Sequence, residues 1–399
     1  MQQVDIAIIG GGLVGASLAA ALAPTIQAHG LKVAVIEAAP LPSALNSDAY
    51  QPSFDARASA IARGSRQHFE TLGLWDALSR EAEPIGRIHV SERGRMGVTR
   101  LDAGELHVDA LGYVIPNAWL GQVLHQRLAT LPLTWHCPAK VENIAVTAQG
   151  HRLSLSDGSQ LEAGLTVLAD GGRSGLKERL GIASREAAYD QVALIANVAV
   201  SRPHQGVAYE RFTDDGPIAL LPLAGQRMAL IWIHELGREQ SRLALSDGDF
   251  LAELQRAFGE RAGRFRQVGT RHAYPLTLVT ANEPVRPGLA VLGNAAHALH
   301  PVAGQGFNLA LRGVMDLVAA LESGLARQAA PGSMEILADF ERRRAADRHN
   351  VIRFSDGLIR LFGIDHPLLS HARAAGLVAT NLIGPLRRTL ARRAMGTER

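Results

Sequence analysis

The first forty residues constrain this chain more than any other part of it. Val4–Ile9 is a short apolar run that reads as a buried strand, Gly10-Gly11-Gly12-Leu13-Val14-Gly15 follows it directly, and Leu13–Ala23 is Ala/Leu-rich and helical up to Pro24. Lys32–Ile36 is a second β-rich run and ends at Glu37. Gly10 permits the tight turn, Gly12 lets backbone approach a pyrophosphate, and Gly15 lets helix and strand pack closely. Phosphates held there would face free N–H groups at the positive end of a helix dipole. Glu37 lies 22 residues beyond Gly15, placed to accept hydrogen bonds from a ribose. Its charge disfavours a 2′-phosphate, so the motif predicts FAD or NAD, not NADP.

Two later runs end in similar turns: Leu165–Ala169 runs into Asp170-Gly171, and Leu289–Leu292 into Gly293. That layout predicts a doubly wound sheet whose ligand sits beyond the strand ends. Gln191–Val200, Ile218–Leu223 and Met228–Ile233, with turn signals Asp214-Asp215-Gly216 and Ala224-Gly225, predict an antiparallel sheet that Arg87–Glu92 would join. Helices are expected at Phe307–Leu325, Met334–Ala346 and Ile352–Phe362, and an amphipathic stretch at Leu368–Ala394 is interrupted by Gly384-Pro385. The fold class is therefore α/β. A Rossmann-like dinucleotide-binding domain (1–80, 100–182 and 272–330) would carry an inserted antiparallel substrate domain (81–99 and 183–271) and a helical C-terminal region (331–399).

Composition narrows the chemistry. A single cysteine, Cys137, excludes an intramolecular disulfide and any four-thiolate metal centre, which suits a reducing compartment. Cys137 is expected to be a buried small residue. His297 and His300 sit three apart with no third ligand cluster, so no metal is expected. No apolar run reaches the ~18 residues of a spanning helix. Met1-Gln2-Gln3-Val4-Asp5 lacks a basic n-region, so the apolar run after it reads as a strand and not a signal peptide, and the expected location is the cytoplasm. The formal charge of +3 is uneven: His366–Arg399 holds six arginines against one acid, Glu398. A nearly neutral body argues against nucleic acid, whereas a basic end suits anionic lipid at the inner face of a membrane, or an acidic partner.

Thr166-Val167-Leu168-Ala169-Asp170-Gly171-Gly172-Arg173-Ser174, the stretch from Gly288 to Leu309 and the segment Asp55-Ala56-Arg57-Ala58-Ser59-Ala60 complete the pattern. With the first motif, they resemble the class A flavoprotein aromatic hydroxylases, the p-hydroxybenzoate hydroxylase fold, nearly end to end. His89-Val90-Ser91-Glu92-Arg93-Gly94 and His300-Pro301-Val302-Ala303-Gly304-Gln305-Gly306-Phe307-Asn308 are similar to the ubiquinone-biosynthesis branch of that family.

The resemblance implies an FAD-dependent monooxygenase that uses NADH or NADPH and O2. It would hydroxylate a prenylated phenol of the 2-polyprenyl-6-methoxyphenol type through a flavin C4a-hydroperoxide. It implies cofactor contacts at Gly10, Gly12, Leu13, Val14, Gly15, Glu37, Arg57, Gln122, Asp170, Gly171, Gly293, Asn294, Gly304, Gly306, Phe307 and Asn308. Arg57 would also meet the entering nicotinamide. Pro301, Gly304 and Phe307 would lie beside the flavin ring, although Phe307 taken alone reads more readily as core than as substrate wall. Trp232 and Tyr274-Pro275 fall where the family places its substrate chamber. The family's third motif usually reads Gly-Asp; Asn294 departs from it but still accepts through its carbonyl oxygen. No base for the phenol is evident. Three other readings remain open: hydroxylation at another ring position or of a soluble aromatic acid, a weakly active flavin-binding component of a quinone-synthesis complex, and a plain NAD dehydrogenase.

Overall fold

The computed structural model describes residues 1–41, 57–300, 304–363 and 367–397. Five parallel strands, β1 (Gln2–Ile9), β2 (Val33–Ile36), β3 (Leu133–His136), β4 (Gln160–Leu168) and β5 (Leu289–Val291), form a sheet in the order β5-β4-β1-β2-β3. The buried stretches of β1, β2, β4 and β5 are nearly continuous in apolar residues because both faces are covered, whereas the edge strand β3 is only partly buried. Ile6 and Ile8 enter one core while Ala7 and Ile9 enter another, as the two-residue period of a strand requires. Helices α1 (Leu13–Ala21) and α2 (Gln305–Leu325) pack together on the first face.

Two helix boundaries depart from expectation. The first helix ends at Ala21, and a second, Ala23–His29, begins with Pro24 in its first turn, where the missing N–H has no partner to lose. The helix expected to break between Ala346 and Ile352 is continuous over Met334–Gly363. The polar stretch that suggested a break includes Asp347, which is buried and accepts from Arg312 of α2 at 2.7 Å, so it is held in the helix.

The second sheet has nine strands among the described residues. Its longest, Ser184–Val200, pairs with His272–Ala281 and Arg227–Glu235; beyond these lie Gly216–Leu223, Val207–Thr213, Arg87–Glu92 and the edge strand Val98–Asp102. Its pairings are antiparallel except one. Val207–Thr213 runs parallel to Arg87–Glu92, which reaches the sheet from a much earlier part of the chain and not by a hairpin. One face of this sheet packs on the helix Asp247–Phe258 through Trp232, Phe250 and Phe258.

The basic end of the chain folds back. Helices α3 (Pro367–Leu382) and α4 (Gly384–Ala394) flank the expected interruption. Thr99 Oγ1 donates to the Leu377 carbonyl at 2.8 Å, and Arg100 N–H donates to Asn381 Oδ1 at 3.1 Å. Gly97 lies so close to α3 that a Cβ would stand 2.6 Å from the Ala374 carbonyl oxygen. Ala391 and Met395 are buried with Leu101, Ala103 and Leu111. No helix among the described residues is long and apolar enough to cross a membrane.

Candidate active site

Three turns meet at the carboxyl ends of β1, β4 and β5. Gly10 has φ +106° and abuts the backbone of Ala169, while a Cβ on Gly15 would stand 1.9 Å from the Gly10 carbonyl oxygen; both glycines are required by contact. Val14 packs on Gly293, and Gly172 lies against Asn294 and Ala295. Strands that are neighbours in the sheet thus bring together residues 10–15, 170–174 and 293–295.

Gly12 is different. It is exposed, has ordinary φ, and a Cβ there would meet no atom within 4 Å; it precedes α1, which no side chain caps. An uncapped helix start beside a glycine with open space fits a dinucleotide pyrophosphate. Glu37 stands at the end of β2 and accepts from Gly11 N–H (2.6 Å) and Ala39 N–H (2.8 Å), so it braces the turn and keeps further lone pairs for a ribose. Asn294 is exposed at the third turn. These residues fit FAD.

Other expected contacts have structural duties. Asp170 shapes its own turn, accepting from Gly172 N–H at 3.0 Å and from Ser174. Gly171 is exposed with φ +72°. Leu13 is partly buried and lies against Gly121 of the helix Asn117–Leu128, which carries Gln122. His125 of the same helix reaches the Gly11 carbonyl at 2.9 Å. Gly304, with φ +61°, precedes α2, which is likewise uncapped by a side chain, and Gly306 in its first turn meets no neighbour on its Cβ side. Asn308 is buried. Its Oδ1 accepts from Ala62 N–H and its Nδ2 donates to Ala60 and Gly304 carbonyls, each at 2.8 Å, which pins the strand Ala58–Ala62 to the start of α2.

Phe307 is partly buried, packs against the first core and stacks with Phe69 at 6.4 Å, in keeping with its reading as core. Some expectations need correcting. Trp232 is fully buried against Phe250 and is not among the residues lining the cavity described below. Tyr274 is exposed, and Arg57 donates to its hydroxyl at 3.4 Å; the pair stands at the surface. Cys137 is half-buried, its thiol directed at the Ala39 carbonyl. Asp55, Ala56 and Pro301 lie outside the described residues. His297 is fully buried and takes a hydrogen bond from Arg344 at 2.9 Å; burial, then the Arg344 charge, hold its imidazole well below the usual range. His300 meets Gln191 Oε1 at 3.2 Å and Tyr189 edge-on, and burial lowers it to about 4. Among the described residues no group of three His, Cys, Asp or Glu is placed to hold a metal.

Beside the start of α2 opens a cavity of about 490 Å³, within the range of small-molecule sites. Gly304 and Asn308 border one end, Ile88, Leu101 and Phe212 of the second sheet form a wall, and Leu377 and Leu390 of α3 and α4 close the other side. The lining is apolar except for a few groups. Arg373, on α3, is already paired with Glu92 at 2.8 Å. Glu210 also lines the cavity, and it was not singled out from sequence. Alternation along Val207–Thr213 puts Glu210 on the same face as the buried Ala208 and Phe212, and an acid on an apolar face is the signal that was available.

Comparison with known proteins agrees with this geometry. The family described as FAD binding domain matches residues 3–355. The chain is 39% identical over 397 residues to "Ubiquinone hydroxylase UbiL" of Rhodospirillum rubrum, covering 99% of this chain and 90% of that protein. It is 33% identical over 398 residues to the "3-demethoxyubiquinol 3-hydroxylase" of Escherichia coli, covering 99% of each. In fold, it is similar to p-nitrophenol 4-monooxygenase PnpA from Pseudomonas putida, with a TM-score of 0.79 at 19% identity over 100% of both chains.

Proposed function

The chain belongs to the FAD binding domain family and is an FAD-dependent monooxygenase of the ubiquinone-biosynthesis hydroxylases; from that membership we propose that it hydroxylates the ring of a prenylated phenol, 2-polyprenyl-6-methoxyphenol, with NADH or NADPH as co-substrate. One observation carries the reading: the cavity beside the start of α2 is apolar, and the arginine that lines it is already neutralised by Glu92. A greasy phenol suits that lining, whereas a soluble aromatic acid needs an unpaired cation.

When bound, FAD supplies the electrons taken from NAD(P)H and the activation of O2. The chain's own residues do the rest. Gly12 and the uncapped start of α1 hold the pyrophosphate, Glu37 a ribose, and Asn294 the ribityl chain. The uncapped start of α2 at Gly304-Gln305 offers partial positive charge to a reduced, anionic flavin. Arg57, at the surface beside Tyr274, receives the nicotinamide cofactor. Helices α3 and α4 exclude water from the ring and leave an apolar bed for the prenyl chain. Where they meet, Leu382, Ile383 and Leu386 are exposed beside Arg388 and Arg393, an arrangement suited to the surface of an anionic bilayer from which such a substrate is drawn.

The test is to supply the FAD-loaded chain with 2-prenyl-6-methoxyphenol and NADH or NADPH and to identify the product. Substrate-stimulated oxidation with a singly hydroxylated ring is expected; its absence with every prenylated phenol overturns the reading. The Escherichia coli relative's name favours a second reading, hydroxylation at another ring position, which the position of the new hydroxyl decides.

A further inference from the structure

Glu210 stands out from everything around it. Its carboxylate has no hydrogen-bond or ion-pair partner among the described residues, and it borders a cavity whose walls are almost wholly apolar. Its neighbours in the sheet, Val90 on one side and Ala219 on the other, offer it nothing polar. It is partly buried in this wall, and burial pushes its carboxyl up to about 7. A fold tolerates a lone carboxylate in such a place at a cost in stability, and functional clefts are where such costs concentrate.

We propose that Glu210 is the base of this chamber, accepting the proton of the substrate's phenolic hydroxyl. The inference rests on the ring-hydroxylation reading above for the identity of its substrate. In the step, the phenol O–H bond breaks, its electron pair stays on the phenol oxygen, and the proton makes a carboxylic acid of Glu210; the product hydroxyl takes it back before release. The phenolate that results is the more electron-rich ring. An ordinary glutamate sits roughly six pKa units below a phenol, too weak a base to hold its proton; a carboxylate raised to about 7 halves that gap. The start of α2 at Gly304 and Gln305 lines the same cavity and favours the phenolate by its positive end. The other ionisable groups bordering the cavity are Arg373, paired with Glu92, and Tyr209, whose hydroxyl points to the Arg261 carbonyl at 3.4 Å. His89 and Arg211 alternate to the opposite face of their strands.

The experiment uses the FAD-loaded full chain, its Glu210→Gln and Glu210→Asp variants, and 2-prenyl-6-methoxyphenol as the probe. The first readout is the affinity for the phenol without reductant from pH 5 to 9. In wild type it is expected to tighten through about pH 7, as the carboxylate forms and accepts the phenol O–H, and in Glu210→Gln to stay flat. The second is the pH profile of substrate-stimulated NAD(P)H oxidation: in wild type kcat rises through about pH 7. In Glu210→Gln it falls about 100-fold at neutral pH, with KM within about threefold, and recovers only as the phenol itself ionises. Glu210→Asp, which keeps the carboxylate, restores the pH-dependent affinity and part of the rate, and carries the same test should the glutamine variant not fold. An affinity in Glu210→Gln that still tightens through pH 7, or an unchanged pH profile of kcat, overturns the inference while leaving the hydroxylase reading intact. So does a wild type whose affinity ignores pH. A wild type whose affinity follows Glu210 yet which hydroxylates no prenylated phenol supports the role of Glu210 and defeats the reading of function.

Discussion

Arg373 of α3 donates to Glu92 at 2.8 Å, and the two side chains keep only 6% and 11% of their surface exposed. The pair fastens the C-terminal helices to the second sheet at the mouth of the cavity. Glu92 already has one oxygen without a partner, so removing the arginine strands the whole charge. Arg373→Met is expected to cost about 3–5 kcal/mol in denaturant unfolding and to expose α3 to proteolysis, whereas Arg373→Met combined with Glu92→Gln recovers most of the loss. A single variant as stable as wild type would show that the helices are held elsewhere.

Gly12 and Gly15 separate cofactor binding from folding. Gly15→Ala drives a methyl group into the Gly10 carbonyl and is expected to destabilise the apoprotein itself. Gly12→Ala meets nothing in the protein, so its apo stability stays within about 0.5 kcal/mol of wild type. Its FAD affinity, measured by flavin fluorescence on dilution, is expected to fall at least about tenfold as the methyl group fills space meant for phosphate.

Stability is expected to rise from acid pH and level off near neutrality. His234, His297 and His300 are fully buried, and burial depresses all three: to about 3 for His234, to about 4 for His300, and well below the ordinary value for His297. A depressed folded-state histidine contributes stability above the unfolded value near 6.5, and that contribution is lost as pH falls toward 4. Each histidine adds up to about 1.4 kcal/mol per pH unit. Glu210 has the opposite sign. Raised from 4.5 to about 7, it withdraws roughly 3 kcal/mol as pH climbs through that window and changes nothing above it. Urea midpoints from pH 4 to 9 should therefore climb from acid pH and level off near 7, and Glu210→Gln should steepen the climb between 4.5 and 7.

The elbow between α3 and α4 exposes Leu382 (75%), Ile383 (51%) and Leu386 (46%) beside Arg388 and Arg393. Sedimentation with vesicles rich in anionic lipid is expected for wild type and lost in Leu382→Asp/Ile383→Asp, with FAD content unchanged. Equal sedimentation of both proteins would remove the bilayer from the reading.

The first turn was legible because its backbone packs so closely on its neighbours that only glycine fits at positions 10 and 15. Four of the five parallel strands were legible because burial on both faces writes an apolar run; the edge strand Leu133–His136, only partly buried, carries no such run. Trp232 was misplaced because an aromatic residue in a strand announces burial without saying which face of the sheet it joins; the helix Asp247–Phe258 decides that. Glu210 was missed because Tyr209-Glu210-Arg211 reads as a polar interruption until pairing with Arg87–Glu92 shows the three as alternating members of one strand. The arginines at the C-terminus looked alike in sequence. Tertiary contact divides them: Arg373 and Arg387 are spent on Glu92 and Glu105, while Arg388 and Arg393 face outward.

Helices α3 and α4 supply one wall of the cavity, yet they follow every glycine of the three turns in the chain. A product clipped ahead of Pro367 would keep those glycines and lose that wall, opening the cavity to water. The last helices to be synthesised are thus the ones that shut it.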